Sequence, residues 1–258
     1  MVEEMTVAPP ISPADEAFPV GNSRLVNAVL QPVRGHMAFE SCVEQLGSAI
    51  QLGIFETGAR LPPERVLAEK MSVSRATVRE AISALRAAGF VSTTRGRGGG
   101  TIVEPIRSAR LPNHPDNIDR QAEIVDMLIF RGIVEPGACH HAASASLNAA
   151  ARALLSGCLN EVENAENPTA YRQADARLHL AIASVCGSDE LSKAASMIQT
   201  KIHQFLNEIP FLQKNIENSD KQHRKIVNSI LDNDADTARF VMEEHCDATA
   251  ALLKGLLK

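Results

Sequence analysis

The stretch from Leu61 to Val103, LPPERVLAEKMSVSRATVREAISALRAAGFVSTTRGRGGGTIV, constrains the fold more than any other part of the chain. Pro62 and Pro63 suit the opening of a helix, where a backbone N–H has no helical partner. Val66, Leu67 and Met71 then recur at helical spacing. Ser72 to Ser74 breaks that pattern, and Ser74 is placed to cap a second helix. Val78, Ile82 and Leu85 give the second helix a buried side, with Arg75, Thr77 and Arg79 on the other side near its start. After Gly89, Phe90–Thr94 and Thr101–Val103 read as strands around the loop Arg95-Gly96-Arg97-Gly98-Gly99-Gly100. Two helices joined by a tight turn and followed by a glycine-rich hairpin make a winged helix-turn-helix. Ala38 to Gly53, with Phe39, Val43, Leu46 and Ile50 recurring at helical spacing, supplies its first helix.

A helix-turn-helix offers the first residues of its second helix to base edges in the major groove. The wing glycines let the backbone approach a duplex closely, and Arg95 and Arg97 can meet phosphates or the minor groove. A net charge of −5 argues against nucleic acid for the chain taken whole. Its distribution points the other way, because residues 61–103 hold seven Lys and Arg against three Asp and Glu. Positive charge gathered on one module is the electrostatic footprint of a nucleic-acid binder.

The five cysteines, Cys42, Cys139, Cys158, Cys186 and Cys246, form no C-x-x-C pair. That pattern predicts buried thiols in a reducing compartment rather than disulfides or a thiolate zinc site. No apolar run approaches the roughly 20 residues needed to cross a bilayer, and no signal-peptide pattern opens the chain. A cytoplasmic location is therefore expected.

Residues 1–37 carry Pro9, Pro10, Pro13, Pro19 and Pro32 with little periodicity, which predicts a mostly disordered arm. The winged unit is expected over 38–105, a Pro- and Asn-rich linker over 106–118, and an all-helical bundle over 119–258. Candidate helices cover roughly 119–134, 136–147, 149–164, 168–186, 188–207, 211–231 and 234–256. The fold class is thus mainly α, with a small β wing at the N-terminal side.

Within the bundle, Asp175 and His179 are four apart and project from one helix face. His223 and His245 are too far apart in sequence to share a site on one straight helix. Asp232-Asn233-Asp234 between them is a turn signal, however, and would fold 219–256 into a helical hairpin. His223 lies ten residues before Asn233 and His245 twelve after, so an antiparallel pair sets them nearly level. One carboxylate and three imidazoles suit a first-row divalent ion such as Zn²⁺, Mn²⁺ or Ni²⁺. The plainer alternative is that each histidine is a separate core or surface residue, as His36, His114, His140, His141 and His203 are taken to be.

The residues Leu61-Pro62-Pro63-Glu64-Arg65, Val73-Ser74-Arg75, Val78-Arg79-Glu80-Ala81, Leu85, Gly89 and the glycine-rich wing resemble the GntR family of bacterial transcription regulators. The bundle is similar to the effector domain of its FadR-type branch, the FCD domain. The carrying residues are Arg131 with Glu135 and Ala142-Ala143, Asp175-x-x-x-His179, His223, and Ala238 with His245. The resemblance implies that Asp175, His179, His223 and His245 bind a metal, zinc above manganese or nickel, which helps to hold a carboxylate effector. It assigns DNA contacts by position to Arg65, Ser74, Arg75, Thr77, Arg79, Gly96 and Arg97. It also implies a homodimer on a pseudo-palindromic operator, usually acting as a repressor. Where the family has a Gly-Asn pair after the Asp-x-x-x-His helix, this chain reads Gly187-Ser188-Asp189.

Arg131 suits bidentate pairing with an effector carboxylate, or equally an i,i+4 ion pair with Glu135. A small hydroxy-, keto- or amino acid fits a cavity holding four polar ligands. An apolar acyl effector, a purely structural metal, and a metal-dependent hydrolase with an accessory DNA-binding module are the alternatives.

Overall fold

The computed structural model describes residues 23–33, 38–94, 100–105 and 117–256. Among them, helices α1 (Ser23–Val29), α2 (Ala38–Gln51), α3 (Glu64–Met71) and α4 (Arg75–Ala87) precede an antiparallel hairpin. Its strands are β1 (Val91–Thr94) and β2 (Gly100–Val103), in a register that sets Val91 opposite Val103. Six helices follow: α5 (Asn117–Ser144), α6 (Ala149–Glu163), α7 (Pro168–Val185), α8 (Asp189–Asn207), α9 (Gln213–Leu231) and α10 (Ala235–Leu256). The result is mainly helical with a small wing.

The winged unit forms for the reasons its sequence suggests. Ser72 closes α3 in the left-handed conformation, and the Ser74 hydroxyl accepts a 3.1 Å hydrogen bond from the Thr77 amide to cap α4. Val66, Leu67 and Met71 of α3 meet Val78, Ile82 and Leu85 of α4 in one apolar interior. The first helix differs in detail. Cys42, Leu46, Ala49 and Ile50 form its buried face, while Phe39 is 38% exposed.

Two further expectations change. Part of the arm at 1–37 is ordered: Leu25, Val26, Val29 and Leu30 on and after α1 are buried against α2, α7 and α8. Low periodicity in a short segment hid a stripe that becomes stable only once its neighbours create a slot for it. Residues 1–22 and 34–37 lie outside the described residues, as do 106–116 of the expected linker.

The candidate helices 119–134 and 136–147 are one 28-residue helix, α5, with Pro136 inside it. Proline removes one helical hydrogen bond and costs about 3 kcal/mol. Packing along α10, the most extensive helix pair among the described residues, outweighs that loss. The departure at Gly187-Ser188-Asp189 is accommodated as well. Gly187 takes φ +72°, and Ser188 caps α8 by accepting from the Leu191 amide.

Two hydrogen bonds join the winged unit to the bundle at α7. Gln173 and Arg177 of α7 donate to the Gln51 and Gly53 carbonyls at the end of α2, each at 3.3 Å. They are four apart and offset by two residues from Asp175 and His179. At 100° per residue, α7 therefore carries Asp175 and His179 on one face and the grip on α2 on roughly the opposite one.

Candidate functional site

The candidate DNA-reading face is built from short-range rules. Arg75 and Arg79 are exposed on the first turns of α4, beside the cap residue Ser74 and the half-buried Thr77. Arg79 Nη2 lies 2.7 Å from Glu64 Oε2, and Arg65 Nη1 lies 2.7 Å from Glu69 Oε1. Both pairs are exposed, so water screens them and a phosphate can replace the carboxylate. Gly96 and Arg97 fall outside the described residues. At the base of the wing, Arg60 packs across Gly100, where an added Cβ would lie 2.9 Å from the Arg60 side chain. Arg60, pairing as a β-bridge with Ile102, steadies the hairpin and carried no signal in the sequence.

The second site is assembled from three distant helices. Asp175 and His179 come from α7, His223 from α9 and His245 from α10, and their ligand atoms lie within 4.8 Å of one another. The turn at Asp232–Asp234 closes the hairpin, with Asn233 at φ +59° and Asp234 accepting from the Thr237 amide. This sets the His223 and His245 ring centres 4.6 Å apart. His179 stands 5.6 Å from His223 and 5.2 Å from His245.

All three rings are buried, and Asp175 is 13% exposed. His179 Nδ1 is 3.0 Å from Glu135 Oε2, and His223 Nε2 is 3.1 Å from Asp175 Oδ1. Neither pair is aligned as a hydrogen bond, so all four ring nitrogens of His179 and His223 lack one among the described residues. Buried nitrogens without partners are costly. A divalent cation at the centre would supply what they lack, and the residues fit it. Two ligands on one ion at about 2.1 Å can stand no more than about 4.2 Å apart, so closure needs only small rotations.

Glu135 of α5 anchors the surroundings. It accepts from Arg131 Nε at 2.8 Å and from Gln199 Nε2, and the Cys246 thiol approaches it at 3.6 Å. Burial alone would raise its pKa, but the Arg131 guanidinium and the His179 ring hold it below the usual carboxylate range. Burial likewise works against Asp175 ionising, and His223 reverses the balance. His245 is held well below the ordinary imidazole value by burial, with His223 and Arg131 adding to the shift. A neutral imidazole is the form that binds metal.

Arg131 therefore does form the ion pair with Glu135. Its Nη1 is nonetheless buried without a partner among the described residues, and the side chain lines a cleft shared with Asp175 and His245. Gln199 and Tyr171 carry no expectation from the sequence, and Cys246 only that of a buried thiol. Tyr171 sits one turn before Asp175 and donates to Asp220 at 2.8 Å, a spacing that could have revealed it.

Comparison with known proteins decides the family. Residues 40–103 match the bacterial regulatory proteins of the gntR family, and residues 126–248 match the FCD domain. RmpR of Mycobacterium gastri, assigned as an HTH-type transcriptional regulator, is 30% identical over 80% of this chain and 76% of its own length. The chain belongs to the GntR family. A protein of Escherichia coli assigned as the regulator of an L-lactate dehydrogenase operon is 27% identical, covering 77% of this chain and 80% of its own. The solved structure of E. coli McbR/YncC shares the fold, with a TM-score of 0.51 at 18% identity over 86% of this chain and 99% of that one.

This GntR-family chain is thus a DNA-binding transcription regulator with an FCD domain, and its relatives are regulators rather than enzymes. The hydrolase alternative falls with that result. Among the described residues no helix is long and apolar enough to cross a membrane.

Proposed function

We propose that this regulator binds a pseudo-palindromic operator as a homodimer and releases it when a carboxylate effector occupies the FCD domain. Residues 38–105 read DNA through Arg65, Ser74, Arg75, Thr77 and Arg79, with Gly96 and Arg97 of the wing in support. Residues 119–258 hold one divalent metal, zinc in the first instance, on Asp175, His179, His223 and His245. Bound there, the metal supplies a Lewis-acidic anchor for a carboxylate oxygen. Arg131 pairs with the same carboxylate through Nη1.

The observation that carries this reading is the convergence of three buried imidazoles and a carboxylate, with ring nitrogens that nothing else satisfies among the described residues. The two-faced α7 supports the coupling, since a shift on its ligand face is felt where Gln173 and Arg177 hold α2. Coupling of this kind is worth about 1–3 kcal/mol. A second copy has an apolar stripe on α5 to pack against, where Val125, Ile129 and Ile133 are 42%, 60% and 70% exposed.

Elemental analysis of the purified protein beside a His223→Ala/His245→Ala variant is the test. About one transition metal per chain, absent from the variant, is the expected result. A folded wild type that never met a chelator yet carries no metal would sink the site.

A further inference from the structure

Helix α1 is buried more completely than a surface helix of seven residues would be. Leu25, Val26, Ala28, Val29 and Leu30 are each no more than 4% exposed, so it is enclosed on nearly every side. What encloses it belongs to both halves of the molecule: α2 of the winged unit, and α7 and α8 of the bundle. Among the described elements, no helix or strand of the winged unit packs extensively against one of the bundle directly. The hydrogen bonds that Gln173 and Arg177 donate to the end of α2 do cross between them, but both are long at 3.3 Å. Residues 23–33 also lie outside both regions matched to a family.

The same segment is tied to the helix-turn-helix. Lys70 Nζ donates to Asn27 Oδ1, which holds the solvent side of α1 to α3. The Gln31 amide donates to Gln45 Oε1 of α2, and the Val33 amide to the Met71 carbonyl at the end of α3, each at 2.8 Å. Helix α3 packs on α4, so residues 25–33 are fixed to the pair of helices that presents Arg75 and Arg79. On their other side they are fixed to α7, which carries Asp175 and His179. Domains joined by a few polar contacts turn relative to one another by default. An apolar wedge buried in both removes that freedom, because turning either one would return Val26, Val29 and Leu30 to water.

We infer that residues 25–33 clamp the winged unit to the bundle at one angle and so determine which half-site spacing the regulator accepts. A two-fold dimer reads two half-sites only if its recognition helices are held at the matching separation and rotation. Moving one half-site by two base pairs turns it by roughly 70° about the duplex axis. Rigidly held winged units cannot follow that turn, whereas loosely tethered ones can. This rests on the reading of the protein as a homodimer on a pseudo-palindromic operator.

The test uses full-length protein and a duplex that the wild type selects from a random pool. Two companion duplexes have the half-sites moved apart by two base pairs, or one half-site scrambled. Val26→Asp/Leu30→Asp puts charge into the dry slot and expels the clamp. The wild type is expected to lose on the order of a hundredfold in affinity when the spacing changes, because the second half-site is out of reach. The variant is expected to bind the original duplex on the order of tenfold more weakly, and to change by less than about threefold with spacing. Its affinity for the single half-site should equal that of the wild type, which separates lost positioning from a damaged winged unit. Val26→Ala/Leu30→Ala thins the clamp without charging its slot, and is expected to move in the same direction by less. Spacing discrimination as sharp as the wild type's in both variants, or loss of single-half-site binding in both, would overturn the inference. A wild type that selects only one half-site would overturn the operator reading, and the inference with it.

Discussion

Two arginine–glutamate pairs of nearly equal length do opposite work in this molecule. Arg79–Glu64, at 2.7 Å, sits on the face proposed to read DNA, with side chains 65% and 35% exposed. Arg131–Glu135, at 2.8 Å, lies inside the FCD domain with side chains 2% and 5% exposed. Water screens the first, so Arg79 can leave its carboxylate for a phosphate at little cost. The second is held by the absence of water, because either charge alone in that interior would be uncompensated. The exposed pair is a replaceable contact, and the buried pair is part of the frame that orients His179 and directs Arg131 at the cleft. Distance alone does not distinguish them. Burial does.

The contrast can be broken most directly at Glu135. Glu135→Ala leaves Arg131 buried without its counter-charge and is expected to cost about 3–5 kcal/mol. Urea unfolding of metal-free protein reads this, and a loss below about 1 kcal/mol would mean that the interior is wetter than its burial suggests.

A smaller effect sharpens the same point through pH. Burial pushes His203 on α8 down to about 4 from its ordinary value of 6.5, with the charge of Arg172 acting in the same direction. As pH falls, the unfolded chain therefore takes up this proton first. The stability that the neutral ring contributes is lost between pH 6.5 and about 4, by at most about 3 kcal/mol. Melting temperatures across that window should fall less steeply for His203→Gln than for the parent. His245 titrates in the same sense, so the difference between the two proteins is the quantity to read. Parallel curves would contradict the assignment.

The smallest expected change in stability is at the exposed pair. Arg79→Ala should leave the melting temperature where it is. It should also weaken operator binding and lower the slope of log K against log salt by about one. An unchanged salt slope would place Arg79 off the phosphate backbone.

The same division explains which features are legible in the sequence. The turn at Ser72–Ser74, the Ser74 cap, the buried stripe of α4 and the glycine-rich wing obey rules that span only a few residues. Their register follows from local chemistry. The quartet of one aspartate and three histidines is partly legible for a related reason. Asp175 and His179 share a helix face by spacing, and the Asp232–Asp234 turn levels His223 with His245.

What stayed hidden needed a neighbour supplied from elsewhere in the chain. Leu25 to Leu30 forms an ordered stripe only because α2, α7 and α8 leave a slot for it, and Pro136 stays within α5 only because α10 packs along it. Gln199 reaches Glu135, and Arg177 reaches the Gly53 carbonyl, across 64 and 124 residues of chain. The sequence by itself determined the winged unit, the helical character of the rest and the spacing that aligns Asp175 with His179, since these depend on backbone preference and periodicity. Only the tertiary structure decided which polar groups are dry and which are partnered. Dehydration is a property of the assembled interior, and no segment carries it alone.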